Sequence, residues 1–524
     1  MHINKSKMNG IGFLGSFLIC SVRNKVKKTT ERQVFTMIYS LGDKRMLCWD
    51  TFAAEKMENV RVLVHKPEKK ELAVKAEGAW DGVHNSYASL VCEKDGTLRF
   101  YMRSYADRYR EDGMLEPCDG AVFSLYESRD GKHFTPCPVD RFDYHGIREN
   151  NIFHMEKDRW IDNFSVFYDE NPACPPEERY KALSSMDNGA GKEPTLLLYV
   201  SADGVEFHKK TVLPLEGRFD SFNVLFWDKS SEQYFIYYRD FHLPGTTERS
   251  PAEKLGSSIR DIRVATSKDL IHFEEYGMIR FPEGTEDIQL YTNQIAKYPR
   301  AEDMFLGFPV QYIDRKDDQE NFRDMPGYDL RSSVIRDYGR SGTALTNTLI
   351  MTSRDGFHFK RRDEAYLKPV KERNWWYGEC YTAYGLAETE SDIPGAPNEI
   401  SFYSDENYRV ENVNFRRYTV RLDGFFSWNA DAKGGSVLTK PFTFEGDKLE
   451  LNFETGAAGY LRITLTDEEG KPIEGYKSGD LFGDAVGRKI RFQGDLASLA
   501  GKPVRLLFEM KDCDLYAYKF INQL

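Results

Sequence analysis

Apolar and polar residues alternate along this chain in short runs, each bounded by turn-forming residues. Ala121–Tyr126 and Leu196–Val200 show the pattern, as do Asn59–His65, Leu449–Phe453, Tyr460–Leu465 and Val504–Met510. Alternation places successive side chains on opposite faces of a strand, so each run predicts a half-buried β-strand. No strong helical period, coiled-coil heptad or low-complexity stretch accompanies them. One phrase recurs between the runs: S128-R-D-G-K-H-F134, S201-A-D-G-V-E-F207, S267-K-D-L-I-H-F273, S353-R-D-G-F-H-F359 and, more loosely, R421-L-D-G-F-F-S427. Its aspartates, Asp130, Asp203, Asp269, Asp355 and Asp423, are spaced by about 73, 66, 86 and 68 residues, the length of one small antiparallel sheet with its loops. An Asp-Gly centre between two strand-like runs is a hairpin signal. Five such units predict an all-β chain built on a five-bladed β-propeller, an arrangement that leaves only short sheet edges.

The expected organisation has three parts. Residues 1–48 form an N-terminal extension, 49–426 the propeller that would carry catalysis, and 427–524 a β-sandwich of short alternating runs parted by Gly, Asp and Lys-Pro. Asn59–His65 is expected to be a leading strand that closes or flanks the ring. Long loops at Tyr105–Gly120, His242–Ser258 and Tyr312–Gly342 interrupt the blades, and the third is rich in Arg and Asp. Lys5 and Lys7 precede a short apolar run, Ile11–Val22, too short to span a bilayer and without a small-x-small cleavage site. It reads as a cytoplasmic start, with export as the alternative.

The formal charge is -11 and no basic run is present, which argues against nucleic acid and against an anionic membrane surface. Eight cysteines without a CxxC pair read as thiols in a reducing compartment, not as a disulfide scaffold or zinc site. No metal or cofactor is expected: the chain lacks HExxH, GxSxG and a dinucleotide fingerprint, and Asn188–Lys192 lacks the flanking residues of a phosphate loop.

In a propeller the first strand of every blade borders the central channel, so equivalent positions converge on one axis. Aligned on their aromatic residue, the inner strands read Asn85-Ser-Tyr87, Asp162-Asn-Phe164, Asp220-Ser-Phe222, Gln289-Leu-Tyr291 and Glu379-Cys-Tyr381. The residue two before the aromatic is polar in all five and acidic in three. Crowded carboxyls divide into a protonated acid and an ionised base or nucleophile, the division that glycoside cleavage requires. Glu379 is expected as the general acid and Asp162 or Asp220 as the nucleophile or base, with all three carboxyls in one pocket. Asn85, Gln289, Arg103, Arg239, Asp240, Asp81 and Trp376 are candidate substrate contacts, and His84 is a weaker one.

Five blades with axial Asp, Asp and Glu followed by a sandwich resemble the furanoside-cleaving glycoside hydrolases: families 32 and 68, which include fructofuranosidases, and family 43, which includes arabinofuranosidases and xylosidases. Glu379-Cys380 is similar to the Glu-Cys pair that holds the family 32 acid/base, and the terminal sandwich is family 32-like. The chain lacks the Trp-Met-Asn-Asp-Pro-Asn-Gly and Arg-Asp-Pro motifs of that family, and Glu379 lies in the fifth repeat where the family keeps its glutamate in the third. The resemblance implies a glycosidase acting on a small sugar or oligosaccharide, including furanosides. The alternatives are a carbohydrate-binding propeller without catalysis and a protein-interaction propeller. Oligomeric state is left open.

Overall fold

The computed structural model describes residues 38–522, apart from 117, 119, 157–160, 190–191 and 318. The apolar run Ile11–Val22 lies outside the described residues. The chain folds into a five-bladed β-propeller and a β-sandwich.

Each blade is an antiparallel sheet. Blade one contains Ser86–Cys92, Leu98–Ser104 and Val122–Ser128, with Thr135–Pro136 and Ile152–Met155 along its outer edge. Blade two runs Ile161–Tyr168, Tyr180–Met186, Thr195–Ser201, His208–Val212, and blade three Val224–Asp228, Gln233–His242, Ile259–Ser267, Phe273–Met278. In blade four the second strand is split into Ala301–Gly307 and Val310–Asp314, both paired with Ala344–Ser353. Blade five contains Ala387–Thr389, Glu399–Glu406 and Asn414–Arg421, and its outermost strand is Glu68–Val74. The ring is therefore closed by a strand from before the first repeat. Asn59–His65 was expected to close or flank the ring. Val60–Val64 instead pairs with Phe426–Ala430 in the sandwich, and the chain moves on to the ring only after His65.

The repeated phrase turns the outer corner of each blade. In the first copy Gly131 N–H donates to Ser128 Oγ at 3.0 Å, while the amides of Lys132 and His133 donate to Asp130 Oδ1 at 2.7 and 2.9 Å. Ser201–Glu206, Ser267–His272 and Ser353–His358 repeat this pattern. The short side chains of Ser and Asp accept the backbone donors that a tight turn would otherwise leave unpaired. The fifth copy serves another purpose. Asp423 is fully buried and accepts from Arg300, Tyr298 and Arg45, joining blade four to the sandwich.

The sandwich draws on both ends of the described chain. Lys448–Thr466 and Arg505–Ile521 are long paired strands whose register breaks between Thr455 and Tyr460. Bending there, they contribute one half to each layer. One layer holds Lys448–Glu454 beside Asp484–Ile490 and the end of Arg505–Ile521, and the other holds Tyr460–Thr466 beside Pro472–Lys477. Leu449, Leu451, Phe453, Leu461, Ile463 and Phe508 fill the space between. Arg45–Leu47, Ala54–Glu58 and Val60–Val64 pair into the same sheet. The division expected at residue 48 thus differs from the structure, in which residues 45–64 belong with the sandwich. A local strand pattern does not name a partner hundreds of residues away, such as the Ser427–Leu63 or Arg505–Glu55 contacts reveal.

The Tyr312–Gly342 loop, read as irregular, contains the helix Tyr328–Tyr338. Gly327 and Gly339 bracket it at positive φ, and its buried residues are Arg331 and Val334. With an arginine in a core position, the helical period is invisible to a hydrophobicity reading. Among the described residues no helix is long and apolar enough to cross a membrane.

Candidate active site on the propeller axis

Four aromatic rings from four blades close the channel. Tyr87 stacks on Phe222 at 5.7 Å and on Tyr381 at 5.6 Å, and Tyr381 stacks on Tyr291 at 5.8 Å. All four are buried. They are the aligned aromatics of blades one, three, four and five. Blade two departs: Phe164 turns away and packs on Phe123, His154 and Tyr199 between blades. The strand register is irregular near these aromatics. Register shifts between Asp162 and Ser165, with Asn163 at φ 50°, and between Ser86 and Ala88, with Tyr87 at φ 50°. Cys380 has φ 65° in blade five. An inserted residue breaks the period of two, so the acid and the aromatic two places on need not share a side.

Guanidinium groups surround this floor. Arg103, at the end of a second strand, lies 4.3 Å over Tyr87 and pairs with Asp162. Arg239, at the equivalent place in blade three, lies 5.5 Å from Tyr291 and pairs with Asp220. Arg260 lies 4.4 Å over Tyr312 and donates to Gln289 Oε1 at 2.8 Å. Arg340 reaches Tyr312 Oη at 3.2 Å. Arg409 donates to Tyr109 Oη at 2.7 Å and to the Tyr377 carbonyl at 3.1 Å. Tyr377 Oη donates to Tyr291 Oη at 2.6 Å, fixing the rim to the floor. The Asp220 side chain is 67% exposed and that of Asp162 23%, so both carboxylates meet solvent.

Glu379 does not. It is 0% exposed, and its carboxyl neighbours are Asp405 and Glu406. Neither carboxyl oxygen has a hydrogen-bond partner of good geometry, although the amides of Asn407 and Tyr408 approach it. Burial, then the charge of Asp405, pushes Glu379 well above the usual carboxyl range. Asp405 is buried alongside, accepting from Tyr381 N–H at 2.8 Å and Ser86 Oγ at 3.1 Å. The single cluster expected of the three acids is thus divided: Asp162 and Asp220 flank the aromatic floor, and Glu379 lies inside blade five.

Several other candidates hold the scaffold. Asn85 is fully buried, accepting from the amides of Gly82 and Tyr105 and donating to Asp81 Oδ1. Asp81, also fully buried, accepts from Gly78 N–H. Asp240 points away from Arg239, its neighbour on the strand, and pairs with Arg249 and Arg263. Trp376, expected to contact substrate, is buried beneath Arg331 at 4.0 Å, and its neighbour Tyr377 stands at the rim. Gln289 acts by holding Arg260. His84 bonds Asp107 at 2.5 Å, and burial, then Arg409, lowers it to about 4, so the imidazole is neutral. Arg260, Arg340 and Arg409 were missed because each sits on a different loop or strand end. Only the Arg-rich character of Tyr312–Gly342 pointed towards Arg340.

Among the described residues no group of three or more His, Cys, Asp or Glu is placed to hold a metal ion, and all seven described cysteines are free. A cavity of about 750 Å³ opens on the flank, lined by Leu72, Trp80, Tyr126, Phe134 and Asn151. The convergent charged groups lie on the axis and not there.

No protein-family model matches the chain, and no curated protein matches it in sequence. Solved structures similar to it include a glycoside hydrolase at 10% identity and TM-score 0.41, covering 68% of this chain and 92% of the other. A family 117 glycoside hydrolase from Zobellia galactanivorans is 10% identical with TM-score 0.39, covering 68% and 90%. A protein of unknown function from Dyadobacter fermentans is 9% identical with TM-score 0.38, covering 87% and 99%. Fold and function are separable, and likeness this slight leaves the functional reading to the site itself.

Proposed function

We propose that the protein cleaves a glycosidic bond in a small sugar or oligosaccharide bound over the axial floor. The observation that supports this reading is the pairing of an aromatic floor, Tyr87, Tyr291 and Tyr381, with two solvent-reaching carboxylates, Asp162 and Asp220, at its edge. Aromatic faces take the C–H side of a sugar ring, and carboxylates and guanidiniums take its hydroxyls. Asp162 and Asp220 each lie against a guanidinium, an environment suited to the nucleophile or base.

Glu379 is the proton donor in this reading, because its burial favours the uncharged form. The turn above it, Asn407–Arg409, must lift for that proton to reach a glycosidic oxygen. Asn407 and Arg409 have φ of 74° and 66°, a strained conformation for residues other than glycine. Catalytic contacts often form only in the complex. Cleavage with retention sets the working carboxyls about 5–5.5 Å apart and inversion about 6.5–9.5 Å. Furanosides are the first substrates to test, on the resemblance to families 32, 43 and 68.

The test screens the purified protein against nitrophenyl furanosides and pyranosides together with fructans. On any substrate turned over, Glu379→Gln, Asp162→Asn and Asp220→Asn should each lower kcat about a hundred- to ten-thousand-fold with thermal stability preserved. Glu379→Gln retaining most of the parent activity removes Glu379 from the mechanism. A second reading, carbohydrate binding without turnover, is favoured by one observation, the complete burial of Glu379. It requires saturable sugar binding with no product released from any substrate.

A further inference from the structure

We propose that the axial pocket selects an anionic saccharide, one bearing a carboxylate or sulfate group, and that Arg260, Arg340 and Arg409 bind that anion. This rests on the saccharide reading above and narrows it.

Five guanidiniums ring the floor, and two are neutralised, Arg103 by Asp162 and Arg239 by Asp220. The other three contact only neutral oxygens: Gln289 Oε1 for Arg260, Tyr312 Oη for Arg340, and Tyr109 Oη with the Tyr377 carbonyl for Arg409. Among the described residues no carboxylate lies within ion-pair distance of any of them. Asp107 is engaged with His84. Arg260 Nε is buried without a partner, and Arg409 is 8% exposed. A guanidinium withdrawn from water without an anion is costly, and this one stands in a chain of formal charge -11 with no general excess of cations.

The three groups are also linked through shared rings. Arg260 and Arg340 share the ring of Tyr312, at 4.4 and 5.8 Å. Arg340 and Arg409 share that of Tyr377, at 6.0 and 5.1 Å. Tyr312 and Tyr377 both pack on Tyr291 in the floor. A sugar lying on the floor would therefore present its charged substituent to this arc. The planar fork of arginine matches a carboxylate or sulfate through two parallel hydrogen bonds.

The experiment is calorimetric titration of the full chain with three probes of equal length: an oligogalacturonide, its carboxyl-reduced neutral counterpart, and a sulfated galacto-oligosaccharide. At least one anionic probe should bind about tenfold or more tighter than the neutral one, and the stronger of the two identifies carboxylate or sulfate. The advantage should disappear in Arg260→Gln/Arg340→Gln, and in Arg340→Gln alone should the double variant misfold. Rising salt should weaken the anionic probes selectively. Equal or tighter binding of the neutral probe overturns the proposal, as does a preference that survives both substitutions. Selective anion binding without release of reducing sugar sinks the glycosidase reading and leaves this one standing. Turnover confined to neutral substrates does the reverse, and absence of binding to any probe sinks both.

Discussion

Tyr237 Oη donates to the carbonyl of Gly356 at 2.9 Å, and the bond crosses from blade three to blade four. Tyr101 reaches Gly204 in the same way at 3.0 Å, and Tyr403 reaches Gly131 at 2.6 Å. In each case a tyrosine on the second strand of one blade is tied to the Asp-Gly turn of the next. The recurring glycine serves this contact. Gly356 has φ +79°, and a Cβ there would stand 2.8 Å from Tyr237 Oη and from Phe235. Tyr237→Phe should lower stability by about 1–2 kcal/mol, the cost of leaving a buried carbonyl unpaired. Gly356→Ala should cost more, because strain and overlap add. Urea unfolding measures both, and a neutral Gly356→Ala would contradict the staple.

The turn aspartates should govern acid stability. Partial burial pushes Asp355 up, but the amides of His358 and Phe357 more than offset it, and Asp130, Asp203 and Asp269 are likewise lowered. A carboxyl lowered on folding stabilises above its unfolded value, about 3.9, and that stability is lost as pH falls through the lower folded value. Asp355→Asn should therefore lose most relative to the parent at neutral pH and least in strong acid. Melting curves between pH 2.5 and 7 check this, and a constant difference across the range refutes it.

Glu379 and Asp405 should act in the opposite sense. Burial raises both above their usual range, foremost among the causes. A carboxyl raised on folding stabilises fully below its unfolded value, about 4, and that contribution is lost as pH climbs towards the folded value. Glu379→Gln should match the parent near pH 4 and exceed it progressively at higher pH. A parent and variant whose stabilities run parallel from pH 4 to 8 would show that the carboxyl is ionised in the fold.

Arg331 should position the rim. It lies 4.0 Å over Trp376 and 4.8 Å over Phe322, and donates to the Gly342 carbonyl at 2.7 Å and to that of Trp375. Arg331→Met should fray Tyr328–Tyr338 and displace Arg340 without unfolding the ring. Hydrogen exchange should then quicken at 328–343 while the blade strands stay protected. Unchanged exchange in that segment would deny the role.

The propeller was legible because its signal is local. Ser128, Asp130 and Gly131 bond one another within a few residues, and the same bonds recur at three further corners. The site was legible only in part. Asp162, Asp220, Arg103 and Arg239 align in the repeats, and all four border the floor. Glu379 occupies a repeating position too, but the turn at Asn407–Arg409 covers it, and that does not follow from spacing. Phe164 left the axis beside a shift of register, which spacing does not show either. The arc of Arg260, Arg340 and Arg409 could not be read as a unit, because it is assembled from a strand end, a helical insertion and a tight turn that only the closed ring brings together.

That closing strand, Glu68–Val74, pairs with Asn414–Arg421, and Arg416 donates to the Lys70 carbonyl some 346 residues away. During synthesis at roughly 5–20 residues per second, the strand would leave the ribosome about 20–70 s before its partner exists. For that interval it is an unpaired edge, open to any passing strand. Its sequence, E-K-K-E-L-A-V, places four charges ahead of three apolar residues. Charge along a free edge discourages pairing with another chain. Glu68, Lys69, Lys70 and Glu71 would then disfavour joining a neighbour's ring before the chain can complete its own.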